Sequence, residues 1–154
     1  MKISENFDLR ELVSRDIWRQ YGENSIWFVS QFQIDCAELT KKVFSTDEEK
    51  AIVVINDYLW GGSVINGGTR HPLTDVGATL SQHKFMNAID PKIKIGGRYL
   101  SSDEIFYTFR ENYHLFKKIG VTTIENPKKT TGWRDWLHMD GRITNQNELL
   151  IVDP

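Results

Sequence analysis

Residues 63–97 read SVINGGTRHPLTDVGATLSQHKFMNAIDPKIKIGG, and within this stretch the texture of the chain changes. Glycine and turn-forming residues crowd it, and short β-type runs fall at 63–66, 87–90 and 92–95. The residues before it carry helical spacing instead. In NFDLRELVSRDIWRQYG, Asp8 is an N-cap candidate with Glu11 three positions on, the spacing of a capping box. A second helix is expected over roughly 31–44, with Phe32, Cys36, Leu39 and Val43 sharing a face. A third is expected from Thr46 or Asp47, where acids fill the first turn, to Gly61-Gly62. Its inward residues would be Ala51, Val54, Ile55, Tyr58 and Leu59.

Beyond residue 97 a helix is predicted over about 102–118. Ser101 and Glu104 form a capping box, Gly120 suits the position after the helix, and Ile105, Phe106, Phe109, Tyr113 and Phe116 make an apolar stripe that reads as core. VTTIE and WLHMD then read as strands on either side of a polar loop at 126–132. Helices first, then short strands around one long helix, predict an α+β domain with a small antiparallel sheet flanked by helices. The 154 residues fit one domain, and 40% hydrophobic content supplies a core.

Several classes of function drop out on composition. The net charge is −2 and no basic block stands out, so a nucleic-acid partner is not expected. The single cysteine, Cys36, excludes an internal disulfide framework and reads as a small core residue rather than a nucleophile. The opening MKISENFDLREL lacks the apolar run of a signal peptide, and no stretch reaches the roughly 20 apolar residues of a membrane helix. The expectation is a monomer made in the cytoplasm, without membrane insertion.

Four histidines are present: His71, His83, His114 and His138. His114 falls away from the apolar stripe and reads as surface. His71 follows Arg70 directly and is either a cleft residue or an ordinary loop residue. The other two have carboxylate company: His83 precedes Asp90, and His138 lies between Asp135 and Asp140. A catalytic zinc site takes three protein ligands and leaves a position open, and a further carboxylate must accept a proton nearby. Two His and at least two Asp meet that requirement, although spacing does not say which Asp would be ligand and which base. The plainer alternative is that both pairs are polar loop residues. If DWLHMD is a strand, Trp136, His138 and Asp140 face one way and Asp135, Leu137 and Met139 the other, so Asp135 and His138 would need a bulge or strand end to converge. Trp136 reads as core rather than a sugar-stacking surface, and Asp140 could hydrogen-bond the far nitrogen of a liganding His.

The spacing Ser81-x-His83-x4-Ala88-x-Asp90 resembles the S-x-H-x-x-G-x-A-x-D motif of the zinc-dependent D-Ala-D-Ala peptidases. That family includes phage L-alanyl-D-glutamate endolysins and shares its fold with the hedgehog signalling domain. Asp135-Trp136-Leu137-His138 resembles the second motif, an acid three residues before a His, and INGGTR resembles the glycine-containing strand that ends in Arg. The resemblance spans nearly the whole chain and implies a hedgehog/DD-peptidase-like fold. It also implies roles. His83, Asp90 and His138 would hold Zn2+, Asp135 would be the general base, Arg70 would hold a substrate carboxylate or carbonyl, and Ser81 would contact substrate or brace the site. The substrate implied is a peptidoglycan stem peptide, cut at a D-Ala-D-Ala or L-Ala-D-Glu bond. The setting implied is phage-type lysis or a virion, with the protein reaching the cell wall after release. Two departures bear on substrate more than metal: Met86 stands where the family has glycine, and an aromatic-flanked GWRDWLH replaces a proline-containing version. The competing expectation is a structural or binding protein of the same fold, with zinc as a staple or absent.

Overall fold

The computed structural model describes residues 1–126 and 136–153. Asp135, the residue given the base role, lies outside them, as do Trp133 and all but Asn126 of the loop expected at 126–132. The fold is α+β, with five α-helices and two small sheets among the described residues. No described helix is long and apolar enough to cross a membrane.

Both predicted capping boxes form. Asp8 and Glu11 close the first around α1 (Leu9–Leu12), which ends at the extended Val13, and Ser14 then caps α2 (Arg15–Tyr21). A 3-10 helix, Gly22–Phe28, leads to α3 (Gln31–Phe44). Ser101 and Glu104 cap α4 (Ser102–Glu111), but the single helix expected over 102–118 is broken at Asn112, and α5 (Tyr113–Lys118) follows. The Asn112 side chain donates back to the Thr108 carbonyl at 2.9 Å, a local bond of the kind that competes with helix propagation. Of the expected stripe, Ile105, Phe109 and Phe116 are buried, and Phe106 and Tyr113 are partly covered.

The third expected helix does not exist. Residues 52–54 are strand β1 (Ile52–Val54), and only Tyr58–Trp60 turns helically, as a short 3-10 segment. Ala51, Val53 and Ile55 are buried while Ile52 is more than half exposed, so the true period is two. The β-branched run IVVI favours that outcome, and the apolar spacing of Ala51, Val54 and Ile55 had mimicked a helical face. In α3 the buried face is also rotated from the predicted one. It comprises Gln33, Cys36, Ala37, Thr40 and Phe44, with Phe32, Leu39 and Val43 only partly covered. Gln33 and Thr40 are buried because each is satisfied: Gln33 Nε2 donates to the Ala88 carbonyl at 3.0 Å, and Thr40 Oγ1 to that of Cys36 at 2.7 Å.

One sheet is antiparallel, in the order β1–β3–β4, with β3 at Lys92–Ile95 and β4 at Arg98–Tyr99. The other has the order β2–β6–β5–β7, with β2 at Ala88–Ile89, β5 at Thr123–Glu125, β6 at Met139–Asp140 and β7 at Leu150–Val152. It is mixed, because β7 runs parallel to β5. The expectation of one antiparallel sheet is thus corrected to two sheets, one of them mixed. Strand-like residues at 63–66 form no strand; they lie in a loop whose Gly67 and Gly68 press against backbone. A Cβ on Gly68 would sit 2.1 Å from the Leu12 carbonyl oxygen, so only glycine fits there.

Candidate metal centre

Strand register brings the two halves of the site together. Ala88 pairs with Asp140 and Ile89 with Met139, so the next pair along is Asp90 opposite His138. On β6 the alternation runs as the sequence predicts: Leu137 and Met139 enter the core, and His138 and Asp140 take the other face. His83 arrives on a one-turn 3-10 helix, Gln82–Phe85. Met86 ends that turn at φ 58°, ψ 28° and is the only described non-glycine with positive φ. The methionine therefore takes the left-handed backbone that a glycine would adopt cheaply. Its carbonyl accepts from Ser30 Oγ at 2.5 Å, which helps hold the turn between His83 and Asp90.

Three acceptor atoms converge. His83 Nε2 lies 3.2 Å from His138 Nδ1 and 3.1 Å from Asp90 Oδ1, and His138 Nδ1 lies 2.8 Å from Asp90 Oδ1. All three residues are buried, with exposures of 1% for His83, 7% for His138 and 9% for Asp90. Together they could hold a metal ion.

The far sides of the rings explain why. His83 Nδ1 donates to the Gly68 carbonyl at 2.8 Å, and His138 Nε2 to Asp140 Oδ2 at 3.0 Å. Each imidazole thus spends its one N–H away from the centre and turns a lone pair inward. Two lone pairs and a carboxylate oxygen at this separation repel unless a cation lies among them. Ligands at about 2.0–2.1 Å from a tetrahedral ion stand about 3.3 Å apart, close to the observed edges. Oriented imidazoles backed by a carbonyl and a carboxylate are the usual support for metal-binding histidines.

Without a metal, a proton takes that place. Burial alone would lower the His138 pKa, but hydrogen bonds to Asp140 and Asp90 raise it to about 10. Burial pushes Asp90 up, yet the His83 and His138 rings outweigh it and hold the carboxyl well below the usual range. Asp140 is held down at about 2, burial being overcome by His138 and Arg142. Arg142 grips Asp140 through Nε at 2.9 Å and Nη2 at 2.5 Å, so an Arg142–Asp140–His138 chain stands behind the centre.

Arg70 belongs to the same assembly. Its Nη2 donates to Asp90 Oδ2 at 2.8 Å and its Nε to the Asn66 carbonyl at 2.7 Å. One oxygen of Asp90 is therefore anchored while the other faces the histidines. Ser81 stands at the N-cap position of the turn that carries His83 without capping it, and its hydroxyl has no hydrogen-bond partner among the described residues. Arg70 and Ser81 line, with the three convergent residues, a cleft of ≈ 550 Å³. Glu125, at the end of β5, also lines it. His71 does not; its Nδ1 accepts from the Leu73 amide at 3.2 Å and its ring stacks on Tyr21. His114 is exposed, and the buried Cys36 thiol is pushed up in pKa by its apolar surroundings, which suits core and not nucleophilic chemistry.

Sequence reasoning singled out Asp140 but missed Gly68, Arg142 and Glu125. Gly68 acts through a backbone carbonyl, which no side-chain pattern reveals. Arg142 could have been found as a cation two residues beyond Asp140 on the same strand direction. No protein-family model matches this chain, and no curated protein or solved structure is significantly similar to it.

Proposed function

We propose that the protein is a zinc peptidase acting on peptidoglycan stem peptide, at a D-Ala-D-Ala or L-Ala-D-Glu bond, with a hedgehog/DD-peptidase-like fold and a role in phage-type wall lysis or in a virion. The observation that carries this reading is the convergence of His83 Nε2, Asp90 Oδ1 and His138 Nδ1, with each ring's other nitrogen already committed. Two neutral imidazoles and one carboxylate are a ligand set suited to zinc with an open position. Zinc held there supplies a Lewis acid and brings the pKa of a water toward neutrality.

The chain's own residues do the rest. Gly68 and Asp140 fix the two ring orientations, and Arg70 fixes Asp90. Asp135 is assigned the proton transfer, taking a proton from the attacking water and returning it to the leaving amine. Arg70 and Ser81, on the cleft wall, are assigned to hold the substrate. The test is mass spectrometry of purified peptidoglycan digested by the zinc-loaded protein beside Asp135→Ala. New peptide ends made by the parent alone are expected, and they identify the bond. A folded, zinc-loaded parent that cuts no wall chemistry would overturn the peptidase assignment. The burial of all three ligands would then favour zinc as a structural staple on the same fold.

A further inference from the structure

Asn66 is the one asparagine in the chain that glycine follows. Such a pair is open to self-modification, because an unhindered glycine nitrogen can reach the asparagine side-chain carbonyl. The fold requires the glycine: a Cβ on Gly67 would sit 2.2 Å from the Ile55 carbonyl oxygen. Asn66 itself is half-buried and lines a pocket of ≈ 280 Å³ that shares Arg70 and Asp90 with the metal cleft.

The folded chain holds the reacting nitrogen back. Gly67 N–H donates to Asn56 Oδ1 at 2.9 Å. Asn56 is buried, and its Nδ2 donates to the Glu11 and Val13 carbonyls, each at 3.0 Å, which fixes its oxygen end on Gly67. The Gly67 carbonyl accepts from the Asp90 amide at 2.8 Å, so Gly67 is held at both its nitrogen and its oxygen. The same segment supports the candidate metal centre. The Gly68 carbonyl accepts from His83 Nδ1 at 2.8 Å. The Asn66 carbonyl accepts from Arg70 Nε at 2.7 Å, and Arg70 Nη2 anchors Asp90.

We propose that Asn66–Gly67 is a self-modification site, locked by Asn56 in the folded chain and released when this segment opens, and that its isoaspartyl product cannot rebuild the candidate metal centre. The inference goes beyond the peptidase reading and does not depend on it. On release, Gly67 N attacks Asn66 Cγ. The N–Cγ bond forms, the Cγ–Nδ2 bond breaks, and the Gly67 proton leaves with Nδ2 as ammonia. Water then opens the cyclic imide. Addition at Cγ gives aspartate. Addition at the main-chain carbonyl carbon frees that carbon as a carboxylate and routes the chain through Cγ, one methylene longer. In that product the oxygen held by Arg70 belongs to a carboxylate that competes with Asp90, and the longer chain displaces Gly67 and Gly68 from Asp90 and His83.

The test incubates the metal-free chain at mildly alkaline pH, folded, fully unfolded, and at rising urea below the transition. Tandem mass spectrometry reads conversion at Asn66, and hydrogen exchange reads opening at the Gly67 amide. Both rates are expected to rise in proportion with urea, and the unfolded chain to convert at least about tenfold faster than the folded one. Asn56→Ala frees the Gly67 N–H and should convert about tenfold faster in the folded state. Should Asn56→Ala not fold, the urea series on the parent decides alone. Folded conversion as fast as unfolded, or conversion that ignores urea while Gly67 exchange rises, overturns the lock. The isoaspartyl fraction, refolded beside unmodified chain, is expected to bind zinc at least about tenfold more weakly, and Asn66→Asp, with the charge but the normal backbone, to lose less. Equal zinc affinity in the isoaspartyl and unmodified chains, or an equal loss in Asn66→Asp, overturns the backbone argument. An unmodified chain that holds no zinc removes the metal reading and that argument with it, and the lock then stands or falls on the conversion rates.

Discussion

Asp140→Asn removes one charge and one acceptor from behind His138. Asp140 is fully buried and accepts from His138 Nε2 at 3.0 Å, from the Arg142 backbone amide at 3.0 Å and from the Arg142 guanidinium. Asparagine keeps one oxygen. Turned toward Arg142 N, it aims its NH2 at the His138 N–H; turned toward His138, it aims that NH2 at the Arg142 amide. The way to relieve the first clash is for His138 to change tautomer, accepting at Nε2 and carrying its proton on Nδ1. That proton then occupies the lone pair a metal needs. Loss of such a supporting group costs about tenfold to hundredfold in metal affinity, or about 1.4–2.7 kcal/mol. The lost charged hydrogen bonds lower the stability of the metal-free fold by about 1.5–3 kcal/mol. Zinc competition against a chromogenic chelator measures the first quantity and urea unfolding in excess chelator the second. If zinc affinity stays within about twofold of the parent while stability falls, Asp140 holds Arg142 and the strand but does not set the ring, and the tautomer argument is wrong.

Two further outcomes are expected. The metal-free protein should lose stability with rising pH: the folded pKa of His138, about 10, exceeds its ordinary 6.5, so the contribution is complete below 6.5 and disappears as pH climbs through 10. Urea midpoints in chelator should fall across that interval, the added stability from zinc should grow across it, and a flat chelator series would remove His138 as the group responsible. At Met86 the left-handed backbone costs a side chain about 1–2 kcal/mol, offset by about 0.4–1 kcal/mol of extra unfolded freedom in glycine. Met86→Gly should therefore match or slightly exceed the parent in stability, and Met86→Val, branched at Cβ, should fall below it. A valine variant as stable as the parent would mean that the turn does not hold φ 58° in solution.

Legibility in the sequence followed how local the physics was. The capping boxes at Asp8 and Ser101 were readable because a cap and its partner lie three residues apart. The facing of His138 and Asp140 was readable because a strand alternates whatever it pairs with. The third helix was misread because Ala51, Val54 and Ile55 fit both periods, and only pairing with β3 selects one. Burial of Gln33 and Thr40 depended on acceptors supplied by folding, one of them on a strand fifty-five residues away. The three convergent residues came from a resemblance in motif spacing, but their convergence came from the register of β2 on β6. Strand β7 carries an apolar run, LLIV at 149–152, that was overlooked, and its parallel pairing with β5 leaves no local signal.

The same register ties the candidate metal centre to the order in which the chain is made. Within its sheet β2 has one neighbour, β6, so His83 and Asp90 leave the ribosome well before the strand that completes their site. The separations are 55 residues from His83 to His138 and 48 from Asp90 to His138. Half a site binds metal weakly, and closing so long a loop is among the slower steps of folding. Ion uptake would then act as a clock on synthesis: a nascent chain halted before residue 138 should leave the ion free, and one that has released β6 should capture it.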